Sequence, residues 1–535
     1  LEAQIDSFFY KNYNYKDLTM DGQLEANRFT GFFKSEDPNV DFNFDGTIDF
    51  SRQVPFFDFK AKVNNLDLKR LNLMQKDLAF QGDVDLKLRD IRLNKMNGDI
   101  TISDLVIIED QKYRHQVDTI RAMAFFENRN HVVSIESEVI DARMEGRFFF
   151  EQIGNEFLHY LERNFPTYAD RFGLHPQKVP SDTSEFTYSV TLHDSKDLLH
   201  ILHPDLKPMQ DVKVVGHFNP FVEEASLDLE LPNFRFGSIK LEDVILIIEG
   251  EQQNAEIEFG VNHTQIGENF SLQPALLFGD IYEDTLELSL TVLDLLEDEN
   301  ILGLDAKVFT DSLDFLVRFD KSKLTLLNQE WQIEDNNIIR IGPDYLQTRG
   351  FVFTNDIRQV ILESRGRKGL DLYFRNFNMH LIDTLWTYDK LEFEGPLNLT
   401  ATIDDIYDLT GLDVKAGVDT FRINGDDWGE LDLSIEAKDV NSTYFATLNI
   451  GDEQRFLKLD GSYIPPDRSK TETKAPLPRK RAHYLDFALT SKNFPLDILE
   501  YWLASGISNT EGLVAADVKI KGPPDKPDVS GTAEV

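Results

Sequence analysis

The sequence predicts a mainly β protein, all-β apart from a few short helices, in which the strands are antiparallel. Apolar and polar residues alternate along most of the 535 residues, and this period of two is typical of strands with one apolar face. Helical periodicity is confined to two short stretches. A motif that occurs three times is followed each time by an alternating strand, which indicates a repeated β unit.

Residues 41–52, DFNFDGTIDFSR, match an EF-hand calcium loop in part and also alternate like a strand. Asp41, Asn43, Asp45 and Asp49 fall at ligand positions, but the twelfth position, which must supply a bidentate carboxylate, is Arg52. The flanks carry prolines and no helical repeat. We therefore predict a strand that bends at its glycine, and its apolar side consists of Phe42, Phe44, Ile48 and Phe50.

Alternation of the same kind predicts the apolar side of strands elsewhere in the chain. Stretches such as FFDFKAKV and ELDLSIEA place Asp, Glu, Lys and Ser on the other side, which suits sheets with one face in water. We expect an apolar groove to be lined by the residues above together with Phe57, Phe59, Val84, Leu86, Leu88, Leu397, Leu399, Ala401, Ile403, Leu431, Leu433, Ile435, Val514, Ala516, Val518 and Ile520.

Composition excludes several classes of function. The chain has 55 basic and 94 acidic residues, a net charge of −39, which repels nucleic-acid backbones, so we expect no nucleic-acid partner. It has no cysteine and therefore no disulfide or thiolate metal site. No apolar run approaches twenty residues. The chain begins without Met and ends within a repeat, so we expect a segment of a longer protein.

Helices and loops divide the chain into five parts. QIGNEFLHYLERNF (152–165) predicts an amphipathic helix with Ile153, Phe157, Tyr160 and Leu161 on one face, and FPLDILEYWLASG (494–506) predicts another. Residues 166–185 and the basic, Pro-rich residues 465–483 read as loops. The predicted organisation is a β segment (1–164) ending in the helix, a loop (165–185), a β segment (186–464), a basic loop (465–483) and a last repeat (484–535).

The repeat begins with Asn and ends with a Gly that starts a strand. NLDLKRL (65–71), NFNMHLI (376–382) and NFPLDIL (493–499) are followed by Gly82, Gly395 and Gly512, at spacings of 17, 19 and 19 residues. A weaker copy runs from Asp194 to Gly216. Each unit predicts a strand, a short helix or turn, and further strands. The apolar faces could be covered in a sandwich, a solenoid, or an open trough filled by another molecule.

At this repeat the chain resembles the TamB branch of the AsmA-like proteins, a family of bridge-like lipid-transfer proteins. The similarity rests on residues 485–535, with Pro527, Asp528, Gly531 and Thr532 in the last element, on the Gly46–Thr47 strand start, and on the turn at 65–71. It is motif-like at 40–90, 370–440 and 485–535. The resemblance implies an elongated, repeating antiparallel β-groove, shaped like a taco, with an open apolar trough.

The same resemblance implies a setting and partners. Phospholipid acyl chains would lie in the groove, in the periplasm of a Gram-negative-type envelope. An inner-membrane anchor would lie outside this segment, and an outer-membrane barrel of the TamA/BamA superfamily would be the protein partner. Abundant Phe (41) and rare Trp (4) also favour contact with hydrocarbon over stacking on sugars.

The sequence contains no pattern that predicts catalysis, a metal site or a cofactor. His193, His200 and His203 lie close in sequence, but their spacing fits no standard metal site. The acidic pairs Asp404–Asp405 and Asp426–Asp427 lie where turns are expected, and Asp is a turn residue. We therefore expect a protein that is not an enzyme and has no cofactor.

Three functions stay open on the sequence. The first is a periplasm-spanning conduit that carries phospholipids along the groove between the inner and outer membranes. The second is a factor that assembles outer-membrane proteins by strand addition, together with a TamA-like barrel. The third, weaker alternative is a carbohydrate-binding β-solenoid.

Overall fold

A computed structural model describes residues 2–90, 92–178, 183–267, 270–282, 284–294, 299–311, 314–320, 324–326, 329–379, 392–408, 410–439, 441–465, 484–495, 512–524 and 526–534. Over these residues the protein is mainly antiparallel β with three short α-helices, which agrees with the predicted fold class. It divides into two compact units. Unit 1 comprises residues 1–268 and 276–284, and unit 2 comprises residues 269–275 and 285–535.

The strands of residues 2–282 are mostly long and consecutive. They are β1 (Glu2–Tyr10), β2 (Tyr13–Glu25), β3 (Arg28–Asp37), β4 (Val40–Asp49), β5 (Phe56–Asp67), β6 (Leu78–Asp90), β7 (Asn97–Glu109), β8 (Tyr113–Glu127), β9 (Asn130–Ser137), β10 (Ile140–Arg147), β11 (Glu185–Asp194), β12 (Gln210–Asn219), β13 (Glu224–Phe236), β14 (Ile239–Glu251), β15 (Asn254–Val261), β16 (His263–Ile266), β17 (Phe270–Leu272) and β18 (Ala275–Tyr282).

In unit 1, strands β1 to β15 pair with one another in chain order, and every pairing is antiparallel. Several connections are two-residue turns with left-handed backbone at both residues, such as Lys11–Asn12 and Asn128–Arg129. Turns of this hand match the twist of the strands they join, which favours a meander of hairpins.

Helical elements of unit 1 interrupt this meander at three places among the described residues. They are α1 (Ile153–Asn164), α2 (Pro166–Phe172), α3 (Leu199–Leu202) and the 3-10 turns Leu93–Lys95 and Lys196–Leu198. Helix α1 is the predicted amphipathic helix. Helix α2 lies within the stretch 165–185 that the sequence predicts to be a loop; Pro166 takes the first helical position and Gly173 ends the helix with left-handed backbone.

Unit 2 carries the remaining strands. They are β19 (Thr285–Asp294), β20 (Glu299–Asp311), β21 (Asp314–Phe319), β22 (Thr325–Leu326), β23 (Gln329–Glu330), β24 (Gln332–Ile333), β25 (Ile338–Ile341), β26 (Leu346–Arg349), β27 (Val352–Asn355), β28 (Arg358–Arg365), β29 (Gly369–Asn378), β30 (Phe393–Glu394), β31 (Pro396–Ile403), β32 (Thr410–Ile423), β33 (Asp426–Asp439), β34 (Tyr444–Gly451), β35 (Phe456–Ile464), β36 (Tyr484–Pro495), β37 (Leu513–Gly522) and β38 (Asp528–Glu534).

One antiparallel sheet of unit 2 contains β24 and β27 to β38 and follows chain order from β27, with β30 off the main path. The predicted helix 494–506 and the predicted basic loop 465–483 lie mostly outside the described residues of this sheet. Phe494 and Pro495, the start of the predicted helix 494–506, are the last residues of strand β36, and residues 496–506 lie outside the described residues. Residues 466–483 of the predicted basic loop also lie outside them.

Most of the stretch that matches a calcium loop in part, residues 41–52, lies in strand β4. Residues 40–49 pair with β3 on one side and with β5 on the other, so the predicted strand is confirmed. The Asp49 carboxylate accepts hydrogen bonds from Ser51 N–H at 2.9 Å and from Arg52 Nε at 2.9 Å. Gly46 has φ of 153°, and a Cβ there would lie 2.5 Å from Phe59 Cα, so the position requires glycine.

Candidate functional site

A row of directly paired apolar residues crosses twelve strands of unit 1, from β4 to β15. Residues paired across an antiparallel ladder point to the same face, so their side chains form one continuous strip. This first open row consists of Gly46, Phe59, Leu86, Ile100, Ala122, Ile135, Ala142, Val190, Val214, Leu229, Leu246 and Phe259. Each of its members is half-buried or exposed.

A second row runs beside it over the same twelve strands. This second open row consists of Ile48, Phe57, Leu88, Gly98, Ala124, Val133, Met144, Tyr188, Gly216, Leu227, Ile248 and Ile257. The opposite face is mostly polar; near β5 it carries Lys60, whose ammonium lies 3.3 Å from Asp85. The sheet of unit 1 therefore has one wet face and one apolar face that is only partly covered.

Two groups of helical residues cover parts of this apolar face in unit 1. Helices α1 and α2 cover a third row at one end of strands β9 to β15. At the other end, Leu198 of the second 3-10 turn packs on a cluster around Leu105, Val117 and Val139. The two open rows lie between these ends of the strands.

The row beneath α1 is named the covered row. It consists of His131, Gly146, Phe186, Phe218, Ala225, Gly250 and Ala255. Tyr160 of α1 is 2% exposed, and its ring lies 5.9 Å from that of Phe218. Burial, with a further contribution from the nearby Glu223 carboxylate, raises the pKa of Tyr160 to about 12. Of the predicted helix face, Phe157 is the exception, being 46% exposed.

A buried carboxylate holds α3 near the opposite end of the strands. Glu109, on β7, lies 3.0 Å from both Lys76 Nζ and His200 Nδ1, and 3.5 Å from His115 Nε2. Burial tends to raise the pKa of Glu109, but the hydrogen bonds from His200 and Lys76 outweigh it and lower that pKa below its usual value. The charge is therefore paired inside the fold, which joins α3 to the sheet.

In unit 2 the apolar face is graded from closed to open across three rows. The closed row contains Phe377, Leu397, Val418, Leu431, Ile450, Leu457, Ser491 and Ala516. The middle row contains Phe374, Leu399, Ala416, Leu433, Leu448, Leu459, Leu489 and Val518. The outer row contains Leu372, Ala401, Val414, Ile435, Ala446, Gly461, Phe487 and Ile520.

Burial falls along this series. Five members of the closed row are 5% exposed or less, whereas all members of the middle and outer rows are half-buried. Aromatic side chains pack at the closed row. Between ring centroids, Trp428 lies 4.7 Å from Phe494 and Trp331 lies 6.2 Å from Phe377. We call Trp331, Phe377, Phe421, Trp428 and Phe494 the aromatic seam.

Bulges in the strands bring the aromatic seam to the apolar face. The register shifts between Phe374 and Phe377, between Val418 and Phe421, and between Ser491 and Phe494. Strict alternation would send these later aromatic residues to the wet face, but one extra residue in a strand reverses the side on which the next residues lie. The seam therefore depends on the bulges.

The three repeat asparagines lie in bulges of this kind. Asn376 and Asn493 have left-handed backbone, with φ of 51° and 52°, which Asn tolerates better than most residues. The side-chain amide of each repeat Asn donates to a carbonyl of a neighbouring hairpin turn: Asn65 to Pro38 at 2.7 Å, Asn376 to Ile357 at 3.4 Å, and Asn493 to Gln454 at 2.9 Å. The repeat motif thus marks a bulge that clamps the adjacent turn.

The structure brings most of the predicted groove residues together within each unit. In unit 1, Phe42, Phe44, Ile48, Phe57, Phe59, Val84, Leu86 and Leu88 share one face. In unit 2, Leu397, Leu399, Ala401, Ile403, Leu431, Leu433, Ile435, Val514, Ala516, Val518 and Ile520 share one face. Phe50 is an exception, since it follows the end of β4 and is 55% exposed.

Many residues of the open rows are missing from the prediction. Ile100, Val190, Val214 and Leu246 occupy the same rows as the predicted residues. Their strands also alternate, and SLDLEL at 226–231 is such a stretch, so the signal was present in the sequence. The register between successive strands, which places these residues in one row, is not encoded in local alternation.

The three histidines contact different carboxylates. His193 Nε2 lies 2.8 Å from Asp141, His200 contacts Glu109, and His203 Nδ1 lies 3.8 Å from Asp205. Among the described residues, no group of three or more His, Asp or Glu side chains is placed to hold a metal ion. In the acidic pairs, Asp405 accepts two backbone N–H groups of its own turn, and Asp427 accepts Gly429 N–H.

Within the described ranges, no helix is both long and apolar enough to cross a membrane. Comparison with known proteins gives no relative: no family model, curated protein or solved structure matches the chain.

Proposed function

We propose that this chain carries phospholipids along its apolar sheet faces, as a segment of a periplasm-spanning bridge between the inner and outer membranes. The observation that supports this most strongly is the pair of open rows in unit 1. Twelve consecutive strands present apolar residues there, and all of them except the buried Ala124 are half-buried or exposed. Soluble monomers rarely leave large contiguous apolar surfaces uncovered unless they bind something.

Acyl chains suit such a surface because they need continuity more than specific polar contacts. Moving hydrocarbon out of water is worth about 0.8 kcal/mol per methylene, so a tail of about sixteen carbons gains on the order of 10 kcal/mol on a continuous apolar path. The middle and outer rows of unit 2 offer the same continuity over eight strands each. The sheets thereby supply a path, and an adjoining anchor and outer-membrane barrel would supply its ends.

The test places charges on the path without filling a closed core. Leu399 and Ile403 are half-buried on the apolar face of β31, so Leu399→Asp with Ile403→Asp puts two carboxylates where water can still reach them. We expect the double variant to fold, as judged by circular dichroism, and to transfer fluorescent phospholipid between vesicles much more slowly.

The matched control lies on the opposite face of the same strand. Asn398 is exposed and pairs with Gly417, and Thr400 pairs with Lys415, so Asn398→Asp with Thr400→Asp adds the same charge without placing either carboxylate directly opposite another. Thr402 is unsuitable because it pairs with Asp371 and Asp413. Normal transfer by the folded Leu399/Ile403 variant would refute the conduit. Loss of folding in that variant alone would refute an open face.

A further inference from the structure

The covered row has a cleft in its floor. Three neighbouring members of the row are small, namely Ala225, Gly250 and Ala255. The phenol of Tyr160 fills this cleft, since a Cβ added to Gly250 would lie 2.5 Å from the Tyr160 hydroxyl oxygen. Helix α1 therefore occupies an apolar furrow that the sheet itself forms.

The interface between α1 and the sheet is less complete than a permanent core. Within the part of the chain that the structure describes, Glu156 Oε2, the Tyr160 hydroxyl and Ser184 Oγ are buried there without a hydrogen-bond partner. Glu156 and Ser184 are 0% exposed. Each unsatisfied buried group opposes burial, so the packing energy of the helix is partly offset.

The covered row also adjoins the proposed lipid path directly. Along β11, Phe186 of the covered row and Tyr188 of the second open row are two residues apart, about 7 Å. Residues of α1 and α2 belong to the same cluster as Val133, Met144 and Tyr188 of the second open row. An acyl chain on that row would therefore touch the helix.

We propose that the covered row is a further acyl-chain site, for which lipid and the α1–α2 pair are alternative covers. This inference rests on the proposed function. When α1 lifts, Glu156, Ser184 and the Tyr160 hydroxyl regain water, and acyl methylenes replace Tyr160 in the furrow. The part of the row beneath the helices, from Phe186 to Ala255, spans four strand spacings, about 19 Å, which is room for one extended acyl chain.

A crosslink at the edge of the interface tests this competition. Arg163 of α1 lies 3.1 Å from Glu223, in the turn between β12 and β13, and both are partly exposed. The protein has no cysteine, so Arg163→Cys with Glu223→Cys allows a short bis-maleimide to lock α1 in place. Lipid taken up from phosphatidylethanolamine–phosphatidylglycerol vesicles is then counted per protein molecule before and after crosslinking. We expect the lock to remove about one lipid per molecule.

The control crosslinks two paired residues on the wet face of the same strands. Lys213 and Glu230 form a 3.1 Å ion pair across β12 and β13, so Lys213→Cys with Glu230→Cys keeps the covered row unchanged. Hydrogen exchange supplies a second measurement: lipid should raise exchange of the α1 amides in the unlocked protein alone. Equal lipid counts with and without the α1 lock would refute the competition while leaving the conduit intact. No lipid in any form would refute both.

Discussion

Strands β9 to β15 of unit 1 and strands β29 to β37 of unit 2 close one end of an apolar face in different ways. In unit 1 the cover is a separate element, because α1 and α2 lie on the covered row. In unit 2 the cover comes from the strands themselves, because bulges turn Phe377, Phe421 and Phe494 onto the apolar face. The same alternating pattern thus leads to a removable cover in one region and an integral one in the other.

The difference lies in what each cover leaves unsatisfied. The helical cover buries a carboxylate oxygen, a phenol and a hydroxyl without partners. The aromatic seam is almost entirely apolar. Its buried polar atom without a partner among the described residues is Nε1 of Trp428, and the Arg455 guanidinium lies 4.1 Å from the centroid of the Trp428 ring. An apolar seam gains from every contact, whereas a polar cover gains less and can be exchanged for another apolar molecule.

The largest expected effect is loss of the seam in unit 2. Phe494 is 0% exposed, and Phe494→Ala should lower the free energy of unfolding by about 3–5 kcal/mol. Phe487 is on the same strand but in the half-open outer row, so Phe487→Ala should cost only about 1–2 kcal/mol. Urea unfolding followed by fluorescence measures both variants.

Fluorescence separates the units in this experiment. The four tryptophans, at positions 331, 386, 428 and 502, all belong to unit 2, so their signal reports on that unit alone. Midpoints should be compared rather than amplitudes, because Phe494 contacts Trp428. Equal losses for the two variants would contradict the gradation from closed to outer row.

The strands and their apolar faces could be predicted because alternation is local. Residues 42–48 show this, since the polar ligand-like residues and the apolar residues fall on opposite sides of β4. The seam could not be predicted in this way. Trp428 and Leu431 differ in parity, and Phe494 and Leu489 differ in parity, so alternation alone places each pair on opposite faces.

The covers depend on contacts between residues far apart in sequence. The periodicity of residues 152–165 predicts α1 but not its partner, because Tyr160 finds Gly250 ninety residues later. Glu156 is fully buried, against the usual preference of glutamate for the surface. The repeat asparagines were recognisable as a motif, but their role as clamps follows from turns at Pro38, Ile357 and Gln454 that the motif does not contain.

A smaller effect is expected from the clamps. Asn493→Ala removes the hydrogen bond to Gln454 and places alanine in left-handed backbone, which together should cost about 1–2 kcal/mol. Asn493→Gly tolerates that backbone and should recover part of the loss. Urea unfolding by tryptophan fluorescence measures both.

Asn65→Ala is the comparison in unit 1. Asn65 donates to Pro38 but is not left-handed, so its replacement should cost only the hydrogen bond, about 0.5–1 kcal/mol. Thermal unfolding by circular dichroism follows this variant, because unit 1 contains no tryptophan. A glycine variant at position 493 no more stable than the alanine variant would argue against backbone strain there.

The smallest effect at neutral pH, close to zero, is expected for Tyr160→Phe, because relief of the buried hydroxyl is offset by the space that its removal leaves beside Gly250. The effect should grow in alkali. The pKa of Tyr160 is raised to about 12 in the fold, against about 10 in an unfolded chain, so its neutral form stabilises the folded state fully below pH 10. That contribution is lost as the pH rises from about 10 towards 12, because tyrosinate is favoured in the unfolded chain. One pH unit above the unfolded value, the wild type should have lost roughly 1 kcal/mol relative to Tyr160→Phe. Thermal unfolding of both proteins across this range measures the difference. Parallel curves would mean that water reaches the phenol in the folded protein, and its hydroxyl would then no longer distinguish the helical cover from the aromatic seam.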